Sequence, residues 1–141
     1  MENVRLELSP RILKGRYANF SRESGVTDRI FMLGYEECAP DYLIERSSFP
    51  FWTLEFIVGG HGYYGRGGEK RALRHGGVFM YGPGIAQYFM NERERPFRKY
   101  FMACGGGGFS VAWRGAGLAP GQLFLGGGGA AIILVFGRML E

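Results

Sequence analysis

Histidine and cysteine are scarce in this sequence, with two of each in 141 residues. Cys38 and Cys104 stand far apart with no CxxC pair, so neither a disulfide framework nor a zinc cluster is indicated and both read as small buried hydrophobes. His61 and His75 each lie beside glycine at an expected strand end, where a turn residue is the simpler reading than a metal ligand. Neither Cys104 nor any serine has a histidine at a spacing that suggests a nucleophile and its base, and the glycine-rich stretches lack the Lys-Ser/Thr ending of a phosphate loop. Gly60-x-Gly62 has no following helix and reads as bulge geometry, not as a dinucleotide fingerprint. No uninterrupted apolar run reaches the roughly 18 residues that a membrane-spanning helix needs. The start, Met1-Glu2-Asn3-Val4-Arg5, lacks the basic-then-apolar order of a signal peptide, so a soluble, cytoplasmic protein is expected, with no membrane partner. The net charge of +4 is modest, and Arg93, Arg95, Arg98 and Lys99 are interleaved with Glu92 and Glu94. That pattern is a set of solvated loops and not a nucleic-acid footprint.

What the chain has is apolar and aromatic residues, 46% and 16% of the total, enough for the core of one domain. Arg29 to Tyr35 reads as a strand, and Phe51 to Val58, rich in aromatic and β-branched residues, as a central one. Gly59-Gly60-His61-Gly62 predicts a kink or bulge, Tyr63-Tyr64 a resumed strand, and Gly65 to Lys70 a polar turn. Two further apolar runs flank Gly82-Pro83-Gly84, where positive φ at both glycines around the fixed φ of Pro83 would reverse the chain sharply. Phe97 to Cys104 makes another strand after the charged turn at Asn91 to Arg95. Short strands between turn signals spaced about 8–12 residues apart predict a mainly β domain, a small sandwich or barrel. After a four-glycine run, Ala130 to Glu141 reads as the start of a helix that ends without a C-cap, as in a piece of a longer chain. The expected division is therefore a barrel over 1–129 and the start of a helix or linker over 130–141.

The run from Gly76 to Asn91 resembles the second motif of cupin barrels: Gly76, Gly84 and Asn91 fit, Pro83 falls one place late, and Gln87 stands at the metal-binding histidine position. From Arg46 through Trp52-x-Leu54-x-Phe56, Val58-Gly59-Gly60-His61-Gly62, the Gly76–Gln87 run and Pro96-Phe97 to Gly105-Gly106, the order of features is similar to the N-terminal cupin domain of AraC-type transcriptional regulators. Residues 116–121 and 135–140 resemble the segment and first dimer helix that follow that barrel. The resemblance implies a jelly-roll barrel that senses an effector and dimerises, with DNA bound only through a helix-turn-helix domain not found in these residues. It places Thr53 at the position of the cupin metal-binding glutamate and puts no histidine among residues 47–49, so no metal and no other cofactor is expected, and no enzyme activity.

If Thr53 holds that inward position, strand alternation sends Thr53, Glu55 and Ile57 into the lumen. Glu55 then needs a partner such as Lys99 or a polar ligand, because an unpaired buried carboxylate is costly. Gln87, Phe89, Lys99 and Phe101 complete the expected ligand-binding set with Thr53 and Glu55, and apolar walls carrying a few polar groups suit a sugar or small polar metabolite. Homodimerisation is expected through Ile132, Ile133, Val135, Phe136, Met139 and Leu140, which cover more of a helix than one barrel face buries. Two rival readings stay open: a metal-independent cupin enzyme acting on sugars, with Glu55 and Tyr81 as acid and base, and a purely structural dimerisation domain. The first is weakened by the single acid expected in the lumen.

Overall fold

The computed structural model describes residues 11–19, 29–66, 68–105 and 123–125. Ten strands run through them: β1 (Ile12–Asn19), β2 (Arg29–Cys38), β3 (Leu43–Arg46), β4 (Trp52–Gly59), β5 (Gly62–Arg66), β6 (Glu69–Leu73), β7 (Gly77–Tyr81), β8 (Gln87–Asn91), β9 (Arg98–Gly105) and β10 (Leu123–Leu125). They form two antiparallel sheets, one of six strands in the order β1-β2-β9-β4-β7-β10 and one of four in the order β3-β8-β5-β6. The mainly β class expected from the sequence is what the described residues show. The expected helix over 130–141, its six apolar dimer residues and the segment 116–121 lie outside them.

Alternation decides which side chains meet between the sheets. Ile57, Phe79 and Tyr81 from the six-stranded sheet pack on Ile44, Tyr64, Leu73 and Phe89 from the four-stranded one. The ring contacts run through this core, with Phe79 and Phe89 centroids 5.0 Å apart and Tyr64 and Phe79 5.1 Å apart. On β4 the odd positions Thr53, Glu55 and Ile57 are buried inward as expected. Phe56 is buried too, on the opposite face, where it clusters with Leu33 and Tyr100 and with the half-buried Leu54, Val58 and Met102.

Three strands escaped the sequence reading, and β5 and β6 pair Gly65 with Lys70 and Arg66 with Glu69 inside the expected polar turn. β1 is mostly exposed and carries Lys14 and Arg16, β3 has only four residues, and β10 has three; none offers a long apolar alternation. The expected bulge is present, as a register shift between Ile57 and Gly59 in the β4–β9 ladder followed by Gly60 at φ +86°. A Cβ at Gly60 would also press on the Pro96 carbonyl. The turn before β8 differs in one respect from the expectation. Gly84 takes φ +76°, whereas Gly82 is not among the residues with positive φ. Gly82 is needed instead because the indole ring of Trp52 lies where its Cβ would be.

Candidate functional site

Register places the polar interior. Three neighbouring strands, β2, β9 and β4, bring Glu36 opposite Lys99 and set Glu55 on the adjacent strand, opposite Phe101. All three ionic side chains face inward, and each is at most 4% exposed. Lys99 Nζ lies 2.7 Å from Glu36 Oε1 and 2.8 Å from Glu55 Oε2; the first is an aligned hydrogen bond, the second a close ion pair without hydrogen-bond alignment. The other two carboxylate oxygens accept from phenols: Tyr17 donates to Glu36 Oε2 at 2.9 Å and Tyr81 to Glu55 Oε1 at 2.8 Å. The lysine ammonium also sits over the rings of Tyr42 and Phe101, 5.5 Å and 5.4 Å from their centroids.

Burial opposes the charge on Lys99, but Glu36 and Glu55 outweigh it and hold the ammonium pKa well above the usual lysine value. Burial, with Glu55 beside it, pushes the Tyr81 phenol far up, and burial with Glu36 does the same to Tyr17. Both therefore remain protonated donors. The cluster of two carboxylates, one ammonium and two phenols carries a net charge of −1 by side-chain type with every ionic atom engaged.

The sequence reading paired Glu55 with Lys99, and the structure brings the two into contact. Its count of one acid in the lumen is corrected to two, because β2 continues past Tyr35 to Cys38 and its alternation turns Glu36 inward. The missed signal was glycine on β1 and β2. Gly34 leaves room for the Phe101 ring, and Gly15 for the Tyr17 ring that leans across it toward Glu36. Thr53 is buried with its hydroxyl donating to the Phe51 carbonyl at 3.1 Å, and Phe89 belongs to the aromatic core.

Gln87 is different. It is 2% exposed and alternates inward with Phe89 and Asn91, yet neither its Nε2 nor its Oε1 has a hydrogen-bond partner. Arg46 is its register partner on β3, and the guanidinium of Arg46 stacks over Phe49 with the charge 4.6 Å from the ring centroid. Phe49 in turn meets Tyr81 edge-on at 5.6 Å, and Tyr81 stacks on Phe89 at 6.0 Å. Gln87 also borders an open groove of about 650 Å³ formed where β3, β5, β6 and the turn before β8 converge. Glu45, Glu69, Arg46 and Lys70 line that groove, two acids and two bases. A bond from the Gly84 amide to Ser48 Oγ, 2.9 Å, ties the turn to the loop after β3.

Asn91 fits the cupin motif, and the structure gives it a mechanical role. Its Nδ2 lies 3.2 Å from the carbonyls of both Ala39 and Pro40, and its Oδ1 accepts from the Phe97 amide at 3.1 Å. It clamps the loop after β2 to the segment leading into β9. Cys38 and Cys104 are free, buried thiols, both pushed up to about 12 by burial. Among the described residues no three His, Cys, Asp or Glu side chains gather as a metal-holding group, and no helix is long and apolar enough to cross a membrane.

Comparison with protein-family models and with curated proteins gives no match. Solved structures are similar in fold. A Cupin 2 conserved barrel domain protein from Salinispora arenicola is 14% identical with a TM-score of 0.51, covering 80% of this chain and 99% of that one. The plu4264 protein from Photorhabdus luminescens is 11% identical with a TM-score of 0.51, covering 82% of this chain and 98% of its own. YhaK from Escherichia coli is 15% identical with a TM-score of 0.53; the match spans 67% of this chain and 46% of YhaK. With the strand order above, this likeness identifies the fold as a cupin-type jelly-roll barrel.

Proposed function

We propose that this barrel binds a small polar effector and serves as the sensing and dimerisation domain of an AraC-type regulator in the cytoplasm, without enzyme activity of its own. The observation that carries the binding half of this reading is Gln87. Buried amides are almost always hydrogen-bonded, and one left with neither donor nor acceptor satisfied costs roughly 1–3 kcal/mol for each lost partner. A ligand that supplies those bonds would gain that energy. The regulator half rests on the resemblance of residues 46–106, with DNA contacted through a separate helix-turn-helix domain and dimer contacts made by Ile132, Ile133, Val135, Phe136, Met139 and Leu140. Of the other expected ligand residues, Phe89 is the next inward side chain on β8 and stacks on Tyr81, while Thr53, Glu55, Lys99 and Phe101 belong to the larger sheet, with Phe101 under the Lys99 ammonium in a separate cluster.

The contact between Tyr81 and Glu55 favours a second reading, in which the pair acts as acid and base on a sugar. Against it, Glu55 is bound to Lys99 and the Tyr81 phenol holds its proton tightly. The test is a thermal-shift screen of sugars, sugar acids and small polar metabolites on the wild type and on Gln87→Met. A sensor gives saturable stabilisation that the variant loses. Stabilisers that act equally on both proteins would remove Gln87 from the site, and turnover of a stabilising sugar would establish the enzyme reading instead.

A further inference from the structure

If Gln87 contacts the effector, the chemistry around that amide selects the ligand class. We infer that the compound held there is neutral and planar and presents a hydrogen-bond acceptor and a donor side by side, as a primary carboxamide, a lactam or a cyclic imide does. The amide of Gln87 offers one N–H edge and one carbonyl in a common plane, and both are unfilled. A carboxylate answers only the donor and an ammonium only the acceptor, so each leaves one buried atom unpaired. A carboxamide edge answers both at once.

Charge argues against a cation. Glu36, Lys99 and Glu55 sum to −1 with every carboxylate oxygen engaged, so Lys99 is not free to pair with an anionic ligand. Arg46, the register partner of Gln87, repels a cation; its guanidinium is paired with no carboxylate among the described residues and would accept an anion, so what argues against a carboxylate is the buried Gln87 Oε1 that it leaves unpaired. A neutral group with a donor and an acceptor avoids both the repulsion and the unpaired atom. Planarity follows from the walls, because Phe89 is the next inward side chain on β8 and stacks on Tyr81, while Phe49 covers Tyr81 edge-on.

The probes are benzamide and succinimide, set against benzoate and benzylammonium of similar size and against glucose. Binding is read from the side-chain amide NMR signals of Gln87, identified by their absence in Gln87→Met, and from titration calorimetry on both proteins. The expected result is that benzamide and succinimide move the Gln87 signals, bind at least about tenfold more tightly than the charged probes, and lose at least about tenfold in Gln87→Met. Equal affinity for benzoate or benzylammonium overturns the inference, as does amide binding that Gln87→Met does not weaken. Gln87 signals that stay still at millimolar amide also overturn it, and this readout needs only the wild type. Glucose moving those signals while the amides do not would reject the ligand class and leave the sensing reading standing. Failure of every probe, with the broader screen also silent on wild type, rejects both.

Discussion

Lys99 shows how one residue can be both costly and required. Replacing it with methionine keeps most of the volume but leaves Glu36 and Glu55 buried without their cation, a change that typically costs about 3–5 kcal/mol. Urea unfolding of Lys99→Met should show a loss of that order, and adding Glu36→Gln and Glu55→Gln should restore much of it, since the penalty lies in the stranded carboxylates. The pH behaviour has a definite sign. Because the folded pKa of Lys99 is raised, its contribution is complete below the ordinary lysine value of about 10.4 and is lost only as pH climbs through the higher folded value. Wild-type stability should therefore show no step from this group at neutral pH and should fall in strong alkali. The two thiols make a simpler prediction. With both pushed up to about 12 by burial, neither Cys38 nor Cys104 should react with a thiol reagent in mildly alkaline buffer, and both should react once guanidinium unfolds the chain. Reaction of either in the native protein would mean that its strand opens locally.

At the scale of elements, glycine and asparagine positions hold the strands in register. Gly60 and Gly84 both have positive φ, but a Cβ at Gly60 meets the Pro96 carbonyl whereas one at Gly84 meets nothing within 4 Å. Gly84→Ala should cost only the backbone term, about 1–2 kcal/mol, and Gly60→Ala distinctly more; melting temperatures of the two variants decide it. Asn91→Asp replaces the donor to the Ala39 and Pro40 carbonyls with an acceptor. A loss of about 3 kcal/mol or more is expected near neutral pH, shrinking in acid as the new carboxyl protonates and can donate again. Much of this level was legible beforehand. The alternation of Thr53, Glu55 and Ile57, the bulge at Gly59 to Gly62 and the turn at Gly84 all follow from local stereochemistry. β1, β3 and β10 were not legible, because they are short or exposed and are held in place by partner strands and not by their own pattern. Glu36 was missed for the same reason, since its inward direction depends on how far β2 extends along β9.

For the whole molecule, the jelly roll sets two kinds of polar group in different sheets. The ionic cluster joins three strands of the larger sheet and is internally satisfied, so its energy goes into fixing β2, β9 and β4 against one another. Gln87 belongs to the smaller sheet, at the groove, and has no partner of its own. Sequence alternation could put both groups in the lumen but could not divide them, because that division depends on which neighbours fill each hydrogen bond. It has a consequence for ligand linkage. A compound bound only by the native state at about 100 times its dissociation constant adds about 2.7 kcal/mol to unfolding. Gln87→Met should abolish most of that increment while leaving the ligand-free protein as stable as wild type or more so, since an unsatisfied amide is replaced by an apolar side chain in an aromatic setting. Lys99→Met should do the reverse, lowering the ligand-free stability steeply while the ligand increment persists in whatever fraction remains folded. Urea titrations of the three proteins with and without ligand separate the two roles. Equal loss of the increment in both variants would mean that the cluster and the groove act as one site.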